Sequence, residues 1–544
     1  MTPRKRNESK SPLLMSKRAK TISKPWFVKR SRDKFPTKPD YGRNGIRHIG
    51  GLILGEATIQ NVGTFGVDAN GKATSGLNHE GKCTDAAPRD GAPRSSDEVR
   101  ESGRSEGGAC SEAKFIGPTR NGRSPKDEAK PYCISRQEVL EAYKKVKSNK
   151  GAAGIDEQTI EDFERDLKNN LYKVWNRMSS GSYFPPPVRT VKIPKANGGE
   201  RPLGIPTVAD RIAQMVVKNR LEPLMEPLFH PDSYGYRPKK SALDAVGRAR
   251  QMCWAYDWVC DLDIKGFFDN LDHKLMMRAV RKHAKDKWVV LYIERWLKVP
   301  AIDEQGNLLK RERGTPQGGV ISPLLANLFL HYAFDLWMRR NWKHLPFERY
   351  ADDIIVHCRT KREAELVRVN VAARLKQCGL ELHPEKTKLV YCKDANRKES
   401  HPNEKFDFLG YSFQPRASIN RKGQLFCSFS PGISKKARLK ISDEIREWKL
   451  HRRTSQSIAD LAKLINPKLR GWFNYYGRFY PSALRPIERH VGQSLVRWAC
   501  RKYKKLRRLR VRGWAWLMRL LDRQPTLLAL WEHKRSKVFT MGAV

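Results

Sequence analysis

Residues 258–270, WVCDLDIKGFFDN, constrain the fold more than any other stretch. A two-residue period puts Cys260, Leu262 and Ile264 on one face of a strand and Asp261 and Asp263 on the other. An apolar strand seldom carries two carboxylates on one face unless a cation or a solvent edge receives them. Residues 347–358, FERYADDIIVHC, supply a second acidic strand end, with Asp352 and Asp353 between two apolar runs. That pattern predicts a hairpin with adjacent acids at its tip. Brought together, the two strand ends make a cluster of hard oxygen ligands suited to Mg²⁺. Two such ions can activate a 3′-hydroxyl and stabilise a leaving pyrophosphate in an in-line nucleotidyl transfer. An Asp-Asp pair alone more often serves turn chemistry; the order of the flanking elements is what gives this one weight.

The charge balance fits a polyanionic partner. The 544 residues hold 106 Lys+Arg against 58 Asp+Glu, a net of +48 spread over most of the chain, and nucleic acid is the commonest polyanion. With 39% hydrophobic and 9% aromatic residues the chain can build cores, and its length calls for two or three domains. No run reaches the roughly 18 apolar residues of a membrane helix, and no apolar signal segment opens the chain. Ten cysteines stand without a C-x-x-C pair, against both a zinc finger and a disulfide scaffold and in favour of a reducing compartment.

Residues 1–128 differ from the rest. The first fifty hold 15 Lys/Arg and 3 Asp/Glu, and a Gly-, Ser- and Asn-rich stretch follows, with neither helical nor strand period. A basic, poorly ordered extension is expected there: a transit segment, an RNA-binding arm or a non-functional extension. From Ile134 the pattern becomes regular. ISRQEVLEAYKKVKSN predicts a helix with Val139, Leu140, Tyr143 and Val146 on one stripe; NKGAAGID breaks into a loop; IEDFERDLKNNLYKVWNRM predicts one further amphipathic helix. Short strands alternate with helices to about 413. Beyond 430 the pattern is helical, with Ile458, Leu461, Leu464 and Ile465 on one face, and residues 431–544 hold 28 basic and 7 acidic side chains.

Nine blocks occur in an order that closely resembles the group II intron reverse transcriptase/maturase family: NKGAAGID, RPLGIPTVADRIAQ, SYGYRP, DLDIKGFFDNLDH, GTPQGGVISPLLANLFL, YADD, ELHPEKTK, FDFLGYSF and GWFNYYGRF. The run that carries the resemblance extends from Ile134 to about Tyr480. The resemblance implies an α+β right-hand polymerase, with fingers and an antiparallel palm sheet over 129–425. An all-helical thumb or maturase domain over 431–500 and a short basic nucleic-acid-binding segment over 501–544 follow. It implies RNA-directed DNA synthesis, with Asp263, Asp352 and Asp353 as the catalytic ligands of two Mg²⁺ ions and Asp261 structural or electrostatic. Phe268 matches the ring that excludes a 2′-hydroxyl, although a GFF run also packs cores. Gln317 matches the residue against the nucleotide sugar. Lys195 and Arg201, on the arms of a Gly-containing turn, match the residues that meet the dNTP phosphates. Lys386 matches the position proposed to protonate pyrophosphate.

At the other end, RKYKKLRRLR (501–510) holds seven basic side chains in ten positions, with Trp514 and Trp516 beyond it. A Lys/Arg helix is expected here, with Lys504, Lys505, Arg507 and Arg508 on phosphates and nearby rings for stacking. No paired Cys-x-x-Cys follows Cys500, so the family's optional HNH nuclease is expected to be absent. The partners implied are group II intron RNA, a DNA target and primer, and dNTPs, with no membrane, in a bacterial cytoplasm or, alternatively, an organelle. Two rival functions stay open at this point: a splicing-only maturase, and a reverse transcriptase recruited to defence or repair. The three intact aspartates weigh against the first.

Overall fold

Strand β3 (Trp258–Asp263) is the centre of the molecule's main sheet, because both of its faces carry side chains that need cover. It pairs antiparallel with β7 (Asp353–Cys358) and β8 (Lys388–Tyr391), and β6 (Phe347–Tyr350) extends the sheet beyond β7, in the order β6-β7-β3-β8. On one face Cys260, Leu262, Ile354 and Val356 enter a large core with the helices Ser322–Leu330 and Lys361–Gln377. On the other, Val259, Ile355 and Val390 meet the helix Ala242–Ala255 and the aromatic rings of a second sheet. Each fully buried aliphatic side chain contributes on the order of 1.5–3 kcal/mol, and a one-residue slip of β3 would take Cys260 and Leu262 out of the large core and turn Asp261 and Asp263 into it. That second sheet is β9 (Phe406–Phe408), β10 (Tyr411–Ile419) and β11 (Leu425–Ile433), in the order β11-β10-β9. Phe406 and Phe413 stack across it at 4.6 Å.

A computed structural model supplies these coordinates and describes residues 130–194, 200–507 and 510–530, all within the compact unit Ile116–Val544. The extension assigned to 1–128 lies outside the described residues, as do 195–199, Arg508, Leu509 and 531–544. The third sheet begins with the hairpin β1 (Val188–Pro194) and β2 (Glu200–Ile205); β1 also runs parallel to β4 (Ala301–Ile302), and β5 (Leu308–Leu309) closes the edge. Helices Lys435–Glu447, Ile458–Tyr476, Arg485–Lys502 and Arg510–Arg523 then share one core around Leu461, Ile465, Leu469, Val491, Leu495 and Trp498. Tyr475, from the GWFNYYGRF block, fastens this helical part to the β9–β11 sheet, donating its hydroxyl to the Leu409 carbonyl at 2.8 Å. No described helix is long and apolar enough to cross a membrane.

Four expectations are corrected. The single helix over 160–178 is two, Ile160–Arg165 and Leu167–Ser179, because Asp166 leaves helical geometry (φ −129°) and the Asn170 side chain takes the Phe163 carbonyl at the break. Leu464 is exposed, since the inner stripe of Ile458–Tyr476 runs through Leu461, Ala462 and Ile465 instead. Strand β11 runs across the edge placed at 425 and 431, so the helical part begins at Lys435. The basic run 501–510 is not one helix: Arg485–Lys502 ends, Tyr503 is extended, a single 3₁₀ turn covers Lys504–Leu506, and a new helix starts at Arg510. Burial of Leu506 in the helical core pins this break. Helix Arg510–Arg523 is no free appendage, as Gly513 lies against Val496 and Cys500 and Trp514 lies over Gly492.

Candidate active site

The β3–β7 register sets Asp263 directly opposite Asp353. Paired residues on neighbouring strands share a face, so Asp261, Asp263 and Asp353 lie on one side of the sheet. Asp352 stands in the turn beside them, between β6 and β7. The expected hairpin with acids at its tip is present. The carboxyl of Asp353 is pushed up to about 7, by burial first and then by the Asp352 and Asp263 carboxylates, while Lys386 pulls it down. Its side chain is open to solvent at the strand end, so the crowding of like charges is the part of that shift the geometry supports. Asp261 is also pushed up to about 7, by burial and then by Asp353 and Asp263. It faces Lys388 across the β3–β8 ladder, which fits a structural or electrostatic place.

Lys386 arrives from the HPEKTK turn ahead of β8. The His383 N–H donates to the Asp263 carbonyl at 2.7 Å, and this brings the Lys386 ammonium to 2.8 Å from the Asp263 carboxylate. With 57% and 30% of the two side chains exposed, the pair contributes little stability. Its interest is chemical, since a cation stands against the first of the three carboxylates. Among the described residues no three His, Cys, Asp or Glu side chains already close on one point as a metal cage. The donor set is nonetheless right for a hard divalent ion: carboxylate oxygens from two paired strand ends, whose mutual repulsion raises the proton affinity of Asp353.

Phe268 lies in the 3₁₀ turn Phe267–Asp269 that follows β3. It is buried, edge-on to Phe267 at 5.2 Å, and belongs to the main core, so packing accounts for most of its surface. Its carbonyl accepts from the Thr315 N–H at 2.8 Å, which joins this turn to the PQGG turn. There the Gln317 amide donates to both carboxylate oxygens of Asp269, at 3.0 and 3.1 Å. Gly318 has φ +127° and a Cβ there would stand 2.3 Å from the Gly204 carbonyl oxygen, so strand β2 packs on this turn through bare backbone. The Gly204 N–H returns a bond to the Gln317 carbonyl at 2.8 Å. Arg201 sits opposite Ile193 in the same β1–β2 ladder, and Lys195 lies outside the described residues.

The structure thus brings Asp263, Asp352, Asp353 and Lys386 together, and separately joins Phe268 to Gln317. Lys504, Lys505 and Arg507 belong to the helical part and are exposed there, while Lys502 is used internally, donating to the Thr454 and Gln456 carbonyls at 2.8 Å each.

Sequence reasoning missed the residues that hold the acidic turn. Ala351 adopts φ +56°, a costly conformation for a residue with a side chain. Arg349 secures it from within, giving one N–H to the Ala351 carbonyl at 3.2 Å, another to Asn327 at 3.0 Å, and two to the Asp335 carboxylate at 2.7 Å each. Asn327 in turn donates to the Gly235 carbonyl at 2.7 Å. A Cβ on Gly235, from SYGYRP, would stand 2.4 Å from the Ala351 nitrogen. Charged residues in an apolar stretch such as LHYAFDLW were the available signal.

Two family profiles match the chain: "Reverse transcriptase (RNA-dependent DNA polymerase)" over residues 193–413 and "Group II intron, maturase-specific domain" over residues 438–519. The first includes every aspartate of the strand-end cluster; the second covers the helical part. Protein YkfC of Escherichia coli is 33% identical over 312 residues, covering 50% of this chain and 79% of that protein. The group II intron-encoded protein LtrA of Lactococcus lactis is 28% identical over 424 residues, covering 62% and 68%. The putative COX1/OXI3 intron 1 protein of Saccharomyces cerevisiae is 26% identical over 310 residues, covering 47% and 36%.

Proposed function

Because the chain belongs to the group II intron reverse transcriptase/maturase family, we propose that its strand-end carboxylates are a polymerase active site and its helical part a grip on intron RNA. It is an RNA-directed DNA polymerase joined to a maturase domain, with roles in reverse transcription and in splicing. The finer reading is a right hand. The β6-β7-β3-β8 sheet is its palm, the β1–β2 hairpin belongs to its fingers, and the helices from Lys435 are its thumb. The observation that carries it is the register that sets Asp263 opposite Asp353, with Asp352 alongside.

In this reading Asp263, Asp352 and Asp353 hold Mg²⁺. A bound pair of ions supplies Lewis acidity to the attacking 3′-hydroxyl and to the departing pyrophosphate. The chain's own groups do the rest. Gln317, fixed on Asp269, lies against the nucleotide sugar, and the Phe268 ring closes the space a 2′-hydroxyl needs. Lys195 and Arg201 neutralise the triphosphate. Lys386 neutralises Asp263 in the present arrangement and donates its proton to pyrophosphate once it turns away. Intron RNA, a DNA target and primer, and dNTPs are the partners, in a bacterial cytoplasm or an organelle.

Primer extension tests this. Purified protein with Mg²⁺, an RNA template and a DNA primer should incorporate dNTPs, and Asp263→Ala or Asp352→Ala should cut incorporation by several orders of magnitude. Intron RNA binding should survive in both variants. Near-normal synthesis by either would remove that aspartate from the site.

A further inference from the structure

The helix Val208–Met225 carries polar side chains at two buried positions one turn apart, Asp210 and Gln214, 1% and 3% exposed. Asp210 uses its two oxygens differently. Oδ1 accepts from the Tyr183 hydroxyl at 2.8 Å and from the Trp296 indole N–H at 2.7 Å. Oδ2 accepts from the Gln214 amide nitrogen at 2.9 Å. An ionised carboxylate donates nothing, so the Gln214 nitrogen must face it and the Gln214 oxygen must point away. That oxygen accepts from the Ile321 N–H at 3.3 Å, at the entrance to the helix Ser322–Leu330, where no intrahelical carbonyl is available. It also lies 3.2 Å from where a Cβ on Gly319 would be. Gln214 is therefore the wall behind the PQGG turn, and Asp210 decides which end of its amide forms that wall.

We infer that Asp210 and Gln214 are positioning residues for nucleotide binding: Asp210 fixes the Gln214 amide, Gln214 anchors the 317–321 turn through Ile321, and the turn presents Gln317 to the incoming dNTP. Neither side chain touches substrate. The inference rests on the proposed role of Gln317 and adds to it a specific donor–acceptor order. The rest of the turn is fixed independently, by the Ser322 hydroxyl on the Pro316 carbonyl at 2.9 Å and by the Gly204 N–H on the Gln317 carbonyl. Removing the Gln214 bond therefore loosens one flank of the turn and leaves the other tied. Its effect is on where Gln317 sits, with the strand-end carboxylates untouched.

The order makes a swap possible. In Asp210→Asn the new amide keeps Oδ1 for Tyr183 and Trp296 but points an NH₂ at the Gln214 NH₂. Gln214 must then flip, and its own donor meets the Ile321 N–H. In Asp210→Asn with Gln214→Glu, the Asn amide donates to one Glu oxygen and the other oxygen accepts from Ile321, with the local charge conserved. A carboxylate there also lies at a helix N-terminus, which favours it.

Steady-state incorporation of a single dNTP on an RNA template, with thermal midpoints measured alongside, tests the inference on the full chain. Gln317→Ala should raise KM for dNTP. Asp210→Asn and the near-isosteric Gln214→Met should each raise that KM about tenfold, the size expected when one buried hydrogen bond is removed and its partner is left unpaired. Their kcat should change far less, and each midpoint should fall only by the few degrees that one unpaired buried hydrogen bond costs. The double swap should return KM to within about twofold of the native protein. A general packing role would instead lower kcat and the midpoint together and would give the swap no advantage. If the swap is no better than Asp210→Asn, or Gln214→Met keeps a native KM while Gln317→Ala does not, the inference is overturned and the role of Gln317 stands. If Gln317→Ala itself leaves KM unchanged, that role fails and the inference with it. Should Asp210→Asn not fold, Gln214→Met against the double swap decides by the same criterion.

Discussion

Asp335→Ala is the most informative single change outside the acidic cluster, because it cuts the support of the turn that carries Asp352. Arg349 and Asp335 are 0% and 1% exposed and share two bonds of 2.7 Å. Charge-assisted bonds are worth roughly 1.5–3 kcal/mol each, so losing two amounts to about 3–6 kcal/mol. That agrees with the about 3–5 kcal/mol typical of removing one partner from a buried pair, since a guanidinium is left in the core. Chemical denaturation followed by circular dichroism should show a lower midpoint with an unchanged slope. A second variant separates stability from function. Asp335→Leu with Arg349→Met replaces the pair by apolar groups of similar size, which is commonly neutral or stabilising by about 1–4 kcal/mol. It leaves the Ala351 and Asn327 oxygens without their donor, so the φ +56° turn is no longer held. Stability should recover in part, short of the native value because two buried oxygens stay unpaired, while primer extension stays low. A loss under about 1 kcal/mol for Asp335→Ala, or full synthesis by the double variant, would refute the reasoning.

Two other outcomes are expected. Phe268→Ala should raise use of rNTPs relative to dNTPs in single-nucleotide competition, at some cost in stability because the ring is buried against Phe267; unchanged discrimination would make it a packing residue alone. Replacing Lys504, Lys505, Arg507 and Arg508 with Gln should weaken binding to RNA or DNA and flatten its log–log salt dependence by roughly 0.7–0.9 for each phosphate no longer neutralised, with synthesis on a saturated primer–template much less affected; an unaltered slope would mean that these side chains only face water.

The strand-end cluster was legible because it rests on regular structure. Period 2 on β3 puts Asp261 and Asp263 on one face and the pattern of 347–358 puts Asp352 and Asp353 at a hairpin tip, and the register adds that Asp353 stands opposite Asp263. The 501–510 run misled for the opposite reason. Its charge density says nothing of geometry, and a single apolar side chain, Leu506, breaks the helix by entering the core. The same holds at Leu464, where a helical stripe four residues wide on paper covers a narrower face in the folded protein. Long-range order of motifs conveyed the family, but it could not say which surfaces are consumed internally, as Lys502 is by the Thr454 and Gln456 carbonyls.

What the sequence hid most completely is common to two turns. The acidic turn and the PQGG turn are irregular backbone, and irregular backbone needs side chains to satisfy its N–H and C=O groups. Arg349, Asn327 and Asp335 do this for one, Asp210 and Gln214 for the other, all from buried positions on neighbouring helices and strands. A buried polar group is tolerated only when its partners are in place, so each network is stable in one arrangement and costly in any other. That is the property a polymerase site needs, because a displacement of about 1 Å at the reacting groups can cost a hundredfold in rate. Helix Val208–Met225 shows how such residues can be found without a structure. Asp210, Arg211 and Gln214 interrupt its apolar run, Asp210 and Gln214 four residues apart on one face, with Ile212, Ala213, Val216 and Val217 buried around them. Two polar side chains at helical spacing on the buried face of a helix must either bond each other or reach across to something that needs them, and here they do both.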